Sequence, residues 1–224
     1  MEQEFRIIKR GLIAYDEALR LQKDLVRAVD GGEAHTLLLC EHPCTLTLGR
    51  AFHEENLLLS RAQFASKGVA VIAADRGGDV TLHAPGQLIA YPILDLKRMG
   101  RDLSLYLQKL EETCVAFLAD FDIVGERGKA GSRPGQFRGI WVGPEKIAAI
   151  GIGVSRWVTY HGVGLNISTD LDLFRMIRPC GLDAGVTSVA KLTRHPPSMA
   201  GAAGIFETKF IRVFHDKDHS SRIG

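Results

Sequence analysis

The apolar residues of this 224-residue chain fall in short runs, and the length of those runs limits how the chain can fold. The runs TLLLC, QLIAYPIL and IAAIGIGV begin at positions 36, 87 and 147. Each suits a buried strand and is far shorter than the roughly 18–20 residues that span a bilayer. Two longer stretches, 12–29 and 102–120, instead repeat apolar residues at helical spacing. Helices and strands therefore alternate irregularly, which predicts an α/β or α+β fold with a mixed β-sheet flanked by helices.

Turn and capping residues delimit the remaining elements. Gly31 and Gly32 end the first long helix, and Asp102 is suited to cap the second. Further helical segments are predicted at 57–67, 170–176 and 198–214, and strands at 36–40, 45–48, 69–73, 88–94, 137–142, 146–154 and 162–167, with one short strand inside the loop 76–87. We expect residues 1–215 to form a single domain and residues 216–224 to form a polar, mobile tail.

The charge balance and the cysteines exclude some classes of protein. The 28 Lys and Arg residues against 26 Asp and Glu leave a net charge of +2, too small to indicate nucleic-acid binding. The N-terminus lacks the apolar core of a secretory signal, and the four cysteines do not have the pattern of a disulfide framework. We therefore expect a cytoplasmic monomer with reduced thiols that contacts neither membranes nor nucleic acid.

Cys180 is the first candidate for chemistry, in the sequence RPCGL. The preceding proline fixes the approach of the chain, and Gly181 leaves the neighbouring backbone N–H groups accessible. An exposed thiol here could be a nucleophile, with N–H groups near Gly181 stabilising a developing oxyanion. The alternative is a small buried hydrophobe, which is the commoner role of cysteine.

Lys146 begins a strand that is otherwise apolar, in the sequence PEKIAAIG. A lysine at such a position is usually a solvated charge or a device that protects a sheet edge. The alternative is a desolvated amine that accepts the proton of a thiol and favours the thiolate.

Two segments combine a histidine with glycines beside a strand, and the 24 glycines of the chain cluster in such segments. In RGGDVTLHAPGQ, Arg76 is either a ligand for a polar substrate group or a surface ion-pair partner, and His83 either polarises a carbonyl or is structural. In HGVGLN, His161 precedes two glycines, and Asn166 is an uncommon strand residue that indicates a specific hydrogen bond. The first segment does not match a dinucleotide-binding loop, and the alternative for the second is an ordinary turn.

The other three cysteines show no pattern typical of a metal site or a nucleophile. Cys40 and Cys44 flank Glu41 and His42, but Pro43 separates these groups, and we expect no metal site there. Cys114 lies on the apolar stripe of the helix 102–120 and is predicted to belong to the core.

Four uncommon strings occur in one order: EHPCTLTLGR, RGGDVTLHAPGQLIAYPILDLKR, KIAAIGIGVSRWVTYHGVGLNIS and RPCGLDAGVTSV. In combination they resemble the lipoyl(octanoyl) transferases over residues 5–215. The resemblance implies a fold similar to the catalytic domain of biotin and lipoate protein ligases. It implies that Cys180 carries an acyl group and that Lys146 activates it. The implied substrate-binding residues are Arg76, Gly77, Gly78, Asp79, Val80, Thr81, Leu82, His83, Ala149, Ile150, Gly151, Gly162, Val163 and Gly164, with His161, Asn166 and Gly181 as further candidates.

The resemblance also implies the reaction and its partners. An octanoyl group would pass from the phosphopantetheine thioester of acyl carrier protein to a lysine of a lipoyl domain, either in a 2-oxoacid dehydrogenase E2 subunit or in the glycine cleavage H protein. Neither ATP nor a metal is required, because a thioester is already activated. The alternatives are an ATP-dependent lipoate or biotin ligase, a non-catalytic acyl-carrier-binding module, and a cysteine hydrolase that uses His83 or His161 as its base.

Three positions depart from the family pattern without removing a catalytic residue. Ala84 stands where a glycine is usual, Gly164 stands where an alanine is frequent, and residues 126–136 form a longer loop. The glycine clusters are interpreted in part as positions where the absence of a side chain lets the acyl thioester approach the backbone. Leu82, Ile150 and Val163 are the candidate walls of an apolar tunnel for the acyl chain.

Overall fold

The computed structural model describes residues 4–128, 138–178 and 185–216. Its strands are β1 (Phe5–Leu12), β2 (His35–Glu41), β3 (Thr45–Leu48), β4 (Ala70–Ala73), β5 (Val80–His83), β6 (Gln87–Ile93), β7 (Glu126–Arg127), β8 (Gly139–Val142), β9 (Glu145–Ser155) and β10 (Val158–Asn166). Its α-helices are α1 (Tyr15–Asp30), α2 (Arg61–Ser66), α3 (Leu103–Ala119), α4 (Val189–Leu192) and α5 (Met199–His215). Short 3₁₀ helices lie at Glu54–Asn56, Leu96–Met99 and Leu171–Met176.

Two sheets organise these elements. The larger has the order β1-β2-β6-β10-β9-β8-β7, in which only the β1–β2 pair is parallel, so the sheet is mixed as predicted. The smaller has the order β4-β3-β5, with β3 parallel to β4 and antiparallel to β5.

Helices cover both faces of the larger sheet. Because successive side chains of a strand point to opposite faces, Leu37 and Leu39 of β2 pack with α3 and α5, whereas Leu38 and Cys40 pack with α1. A strand buried on both faces is apolar at every position, which explains the continuous run TLLLC. The smaller sheet has its own cluster, formed with Phe64 of α2 and the 3₁₀ segment Leu171–Met176.

The longer helices begin as their capping residues predict. Asp102 accepts a hydrogen bond from the backbone N–H of Leu105, and Ser198 accepts one from Gly201. Gly31 caps the end of α1, and Cys114 is fully buried in the main core, both as predicted. None of the described helices is long and apolar enough to cross a membrane.

The predicted element boundaries differ most from the structure at three places, and the short elements β7 and α4 were not predicted. Residue 12 belongs to the edge strand β1, which the sequence reading missed, so α1 begins at Tyr15 rather than at 12. The helix predicted at 57–67 covers only Arg61–Ser66, because Leu57 pairs with Ile177 as an isolated bridge. Strand β10 begins at Val158, four residues before its predicted start. Parts of the loop 126–136 and of the tail 216–224 lie outside the described residues.

Candidate active site

An open pocket lies between β9 and β10 of the large sheet and the segment that leads into β5 of the small sheet. It encloses about 840 Å³, its solvent-filled mouth included. We call residues 76–83 its loop wall, and residues 149–151 with 161–164 its sheet wall. All the predicted substrate-binding residues except Leu82 line it, together with Lys146, His161 and Asn166.

Lys146 lies at the end of the pocket where β9 begins. The side chain is 6% exposed, and Nζ donates a hydrogen bond to the backbone oxygen of Arg138 at 3.1 Å. Nζ also lies over the ring of Trp141, 5.0 Å from its centroid. Lys146 is therefore a buried amine facing a cavity, and not the solvated edge charge that was the alternative.

The backbone of Lys146 pairs with the segment that follows the predicted nucleophile. Its N–H donates to Gly185 O at 2.9 Å, and its carbonyl accepts from the N–H of Thr187 at 3.0 Å. Cys180 and Gly181 themselves lie outside the described residues. On the other side of them, Arg178 N–H donates to Asn56 O at 2.8 Å.

Arg76 anchors the loop wall from inside. The residue is buried, and its guanidinium donates to Oγ1 and to the carbonyl of Thr47 on β3, and to the carbonyl of Gly77. These bonds fix the turn at 77–79 against the small sheet. A surface ion pair, one of the two predicted roles of Arg76, is excluded by this burial.

Asp79 and Leu82 also serve the fold of the loop wall. The Asp79 carboxylate accepts hydrogen bonds from the backbone N–H groups of His53 and Val80 and from the side chain of Asn56. Leu82 was expected to form a wall of the tunnel, and that expectation was wrong. Its side chain is fully buried in the cluster of the small sheet, whereas its neighbours Thr81 and His83 line the pocket.

His83 belongs to a line of buried polar side chains that we call the amide relay: His83, Gln87 and Asn166. The Nδ1 atom of His83 lies 2.7 Å from Gln87 Oε1, and Gln87 Nε2 donates to Asn166 Oδ1 at 2.9 Å. Asn166 Nδ2 then donates to the carbonyl of Thr187 at 3.0 Å. The specific hydrogen bond expected of Asn166 is therefore present. Burial lowers the pKa of His83 to about 3, so the imidazole is neutral at physiological pH.

His161 has a charged partner instead. Its Nε2 atom lies 2.8 Å from Asp75 Oδ1, and its backbone N–H donates to Gln22 Oε1. Burial lowers the pKa of His161, while the Asp75 carboxylate opposes that shift. The residue also has a φ of 54°, an uncommon conformation for a side chain with a Cβ.

The glycines of the sheet wall do not serve the purpose that the sequence suggested. A Cβ at Gly162 would lie 2.2 Å from the carbonyl oxygen of Ala90, and one at Gly164 would lie 3.0 Å from Gln87 Oε1. A Cβ at Gly151 would meet Gly77 O at 3.0 Å. These glycines let parts of the protein pack closely on one another. At Gly77, by contrast, the nearest atom would be 3.5 Å away.

Comparison with known proteins shows the family of the chain. The model of the lipoyl protein ligase A/B catalytic domain matches residues 14–211. An octanoyltransferase of Solibacter usitatus is 45% identical over 205 residues, which cover 91% of this chain and 90% of that protein. The chain belongs to the octanoyltransferase family. Octanoyltransferases transfer an acyl group, so the chain is an acyltransferase.

Solved structures confirm the fold class. A lipoate-protein ligase A bound with ATP is similar at a TM-score of 0.77 and 16% identity, covering 96% of this chain and 86% of that one. The biotin protein ligase of Aquifex aeolicus is similar at a TM-score of 0.51 and 11% identity, covering 95% of this chain and 69% of that one. The predicted similarity to the biotin and lipoate ligase catalytic domain is therefore confirmed.

Several residues of this octanoyltransferase pocket were missed in the sequence. They are Tyr15, Gln87, Tyr91, Arg138, Ile147, Ala148, Phe174 and Val186. Gln87 had a signal, since it closes the glycine-bearing segment that carries His83. Tyr15 and Tyr91 had none, because each resembles an ordinary aromatic residue of a helix or a strand.

The remaining cysteines are not suited to nucleophilic chemistry. Burial raises the pKa of Cys40 to about 12, and it also raises the pKa of Cys44. Within residues 4–128, 138–178 and 185–216, no group of three or more His, Cys, Asp or Glu side chains could hold a metal ion.

Proposed function

We propose that this enzyme transfers an octanoyl group from the phosphopantetheine thioester of acyl carrier protein to a lysine of a lipoyl domain, through a thioester on Cys180. The acceptors are the lipoyl domains of 2-oxoacid dehydrogenase E2 subunits and the glycine cleavage H protein. The observation that carries this proposal is the position of Lys146. It is a buried amine at one end of the pocket, and its backbone pairs on both sides with Gly185–Thr187, which follow Cys180 by five to seven positions.

The first half-reaction exchanges one thioester for another. The Cys180 sulfur attacks the octanoyl carbonyl while Lys146 accepts the proton of the thiol. The bond between the carbonyl carbon and the phosphopantetheine sulfur then breaks, and the leaving thiolate takes a proton from Lys146. Backbone N–H groups near Gly181 are our candidates for stabilising the tetrahedral oxyanion.

The second half-reaction forms an amide. The neutral ε-amine of the acceptor lysine attacks the acyl-enzyme carbonyl, the C–S bond to Cys180 breaks, and a proton of the amine passes through Lys146 to the thiolate. Because an amide is more stable than a thioester, the step is favourable without another energy source. ATP and a metal therefore have no part in the proposed cycle.

The apolar part of the pocket suits the acyl chain. Ile150 and Val163 of the sheet wall and Val80 of the loop wall all line it. At about 0.8 kcal/mol for each buried CH₂ group, enclosing an octanoyl chain would contribute several kcal/mol to binding. His83 is neutral, and the Arg76 guanidinium is held by hydrogen bonds to Thr47 and Gly77 of the protein itself.

Intact-mass measurement after mixing the enzyme with octanoyl-acyl carrier protein tests the proposal. The wild type should gain one octanoyl group without ATP, and adding a lipoyl domain should discharge it to the domain. Cys180→Ala should gain none, and Cys44→Ser is the matched control that should behave as the wild type. Lys146→Ala should slow acylation by at least about 100-fold, the usual scale of general acid–base catalysis.

Three results would contradict the proposal. Full transfer by Cys180→Ala would exclude the nucleophile, and a strict requirement for ATP with free octanoate would favour a ligase. Release of free octanoate in the presence of the lipoyl domain would favour a hydrolase.

A further inference from the structure

Gln87 and Asn166 form a buried amide pair that the proposed chemistry does not use. Both side chains are almost completely inaccessible to solvent, although amides are usually exposed. Burying such groups costs free energy unless each is hydrogen-bonded, and here every amide group has a partner. The pair joins β6 to β10 at the position where those strands meet as neighbours in register.

Two backbone carbonyls fix the orientation of both amides. Gln87 Nε2 donates to Leu82 O at 3.2 Å, and Asn166 Nδ2 donates to Thr187 O at 3.0 Å. A carbonyl can only accept a hydrogen bond, so neither amide can be flipped without setting oxygen against oxygen. The direction of the bond from Gln87 Nε2 to Asn166 Oδ1 follows from these two ends.

The same constraint fixes the tautomer of His83. Gln87 Oε1 is an acceptor, so the hydrogen of the neutral imidazole must be on Nδ1, which lies 2.7 Å away. Nε2 is then an acceptor on a side chain that lines the pocket. The amide relay therefore has a defined direction, from His83 at one end to Thr187 at the other.

Thr187 connects the relay to Lys146. The carbonyl of Thr187 accepts from Asn166, and its N–H donates to the carbonyl of Lys146. Val186 pairs with Lys146 as an isolated parallel bridge. The bond from Asn166 thus fixes a short segment that itself fixes the backbone of Lys146.

We propose that Gln87 and Asn166 are positioning residues for Lys146: they hold Gly185–Thr187 against β9 and so set where its amine meets the reacting thiol. This inference rests on the proposed function, in which Lys146 is the base. Among the described residues, two ion pairs adjoin Lys146: Arg138 with Glu111, where the Arg138 carbonyl accepts from Lys146 Nζ, and Glu145 with Lys191, where Glu145 precedes Lys146 in the chain. The variants below leave all of them in place.

The test compares Asn166→Ala and Gln87→Met with Thr159→Val. Thr159 is a matched control because it is fully buried on the same strand, where Oγ1 donates to Pro92 O and accepts from Leu94 N–H. All variants carry Cys44→Ser, since Cys40 and Cys114 are buried, whereas the half-buried Cys44 is accessible to iodoacetamide and its thiolate would add to the signal at high pH. The measured quantity is the rate of Cys180 alkylation by iodoacetamide between pH 5 and pH 10, mapped by peptide mass.

We expect both relay variants to move the midpoint of the alkylation profile upward by about one pH unit, a tenfold loss of thiolate at neutral pH. Acylation by octanoyl-acyl carrier protein should slow by about tenfold or more, with KM changed less than about threefold, as for an interaction that acts in the transition state. Thr159→Val should lower thermal stability and leave the midpoint unchanged.

An unchanged midpoint in Asn166→Ala and Gln87→Met would overturn the inference, as would an equal shift in Thr159→Val. If Asn166→Ala does not fold, Gln87→Met decides, because it keeps the bond between Asn166 and Thr187 and removes the donor to Asn166 Oδ1, so that Asn166 is held at one end only. The alkylation assay needs no acyl substrate. A wild type that shows the expected profile but never accepts an octanoyl group would therefore refute the proposed function and not the positioning role.

Discussion

The two walls of the pocket look alike in sequence, yet they differ in how closely their glycines are packed and in the partner of their histidine. Each carries glycines and one histidine beside a strand. In the sheet wall the glycines receive other parts of the protein, and His161 is paired with the Asp75 carboxylate. In the loop wall a Cβ at Gly77 would make only an ordinary contact, 3.5 Å from Ile152 O, and the hydrogen-bond partner of His83 among the described residues is the uncharged Gln87. A histidine with glycines therefore marks a pocket wall, but it does not reveal whether the missing side chains make room for ligand or for protein.

The largest difference between the walls should appear in the free energy of unfolding when one glycine of each wall is replaced by alanine. In Gly162→Ala the new Cβ would lie 2.2 Å from Ala90 O, and two paired strands must separate to admit it. We expect a loss of about 3 kcal/mol or more in the free energy of unfolding, at the upper end of overpacking effects. Gly77→Ala should change it by less than about 1 kcal/mol, because nothing lies closer than 3.5 Å and its φ is not positive.

Urea unfolding followed by tryptophan fluorescence measures both variants. Equal losses would show that the loop wall is packed as tightly as the sheet wall, and the contrast between them would fail. A Gly162→Ala protein as stable as the wild type would show that β6 and β10 can separate at no cost.

The fold was more predictable than the site, for physical reasons that particular residues show. Strand β2 and helix α3 were predicted correctly because their burial determines the spacing of their apolar residues. The strand is buried on both faces and has a continuous apolar run, whereas the helix is buried along one stripe and repeats apolar residues at helical spacing. Strand β10 was shortened in the prediction because its turn uses Arg156 and Trp157 at positive φ, where glycine or asparagine is the usual signal. Lys146 and His83 could be predicted as residues of the pocket because each lies in an uncommon sequence motif. Tyr15 and Asp75 depend on partners far away in sequence, which no local pattern encodes.

The two histidines should differ next in how they make stability depend on pH. The folded pKa of His83 is about 3, below its ordinary value of 6.5, since burial disfavours the imidazolium. Below pH 6.5 the unfolded chain therefore binds a proton that the folded protein refuses, and stability falls on acidification by up to about 1.4 kcal/mol per pH unit until pH 3. Above pH 6.5 this contribution is constant. The pKa of His161 is also lowered by burial, but Asp75 opposes the shift, so the same loss should be smaller.

His83→Asn and His161→Asn form a matched pair for this test. An asparagine at 83 keeps an N–H for Gln87, and one at 161 tolerates the positive φ. The slope of the free energy of unfolding against pH measures how many protons the protein takes up on unfolding. Between pH 7.5 and pH 4.5, His83→Asn should lower that number by nearly one, and His161→Asn should lower it by clearly less. Equal flattening would mean that the carboxylate does not distinguish the two sites.

The smallest expected effect concerns the two buried tyrosines, one packed on each histidine. Tyr15 stacks on His83 of the loop wall, and its hydroxyl has no hydrogen-bond partner among the described residues. Tyr91 packs edge-on against His161, and its hydroxyl lies 2.8 Å from His42 Nε2. Removing an unpaired buried hydroxyl relieves its desolvation cost, so Tyr15→Phe should leave stability unchanged or raise it by up to about 1 kcal/mol. Tyr91→Phe should lower it by about 1–2 kcal/mol, because His42 then loses its partner. Unfolding in urea at pH 7.5 measures both variants. A Tyr15→Phe protein as destabilised as Tyr91→Phe would show that the hydroxyl of Tyr15, like that of Tyr91, has a hydrogen-bond partner within the protein.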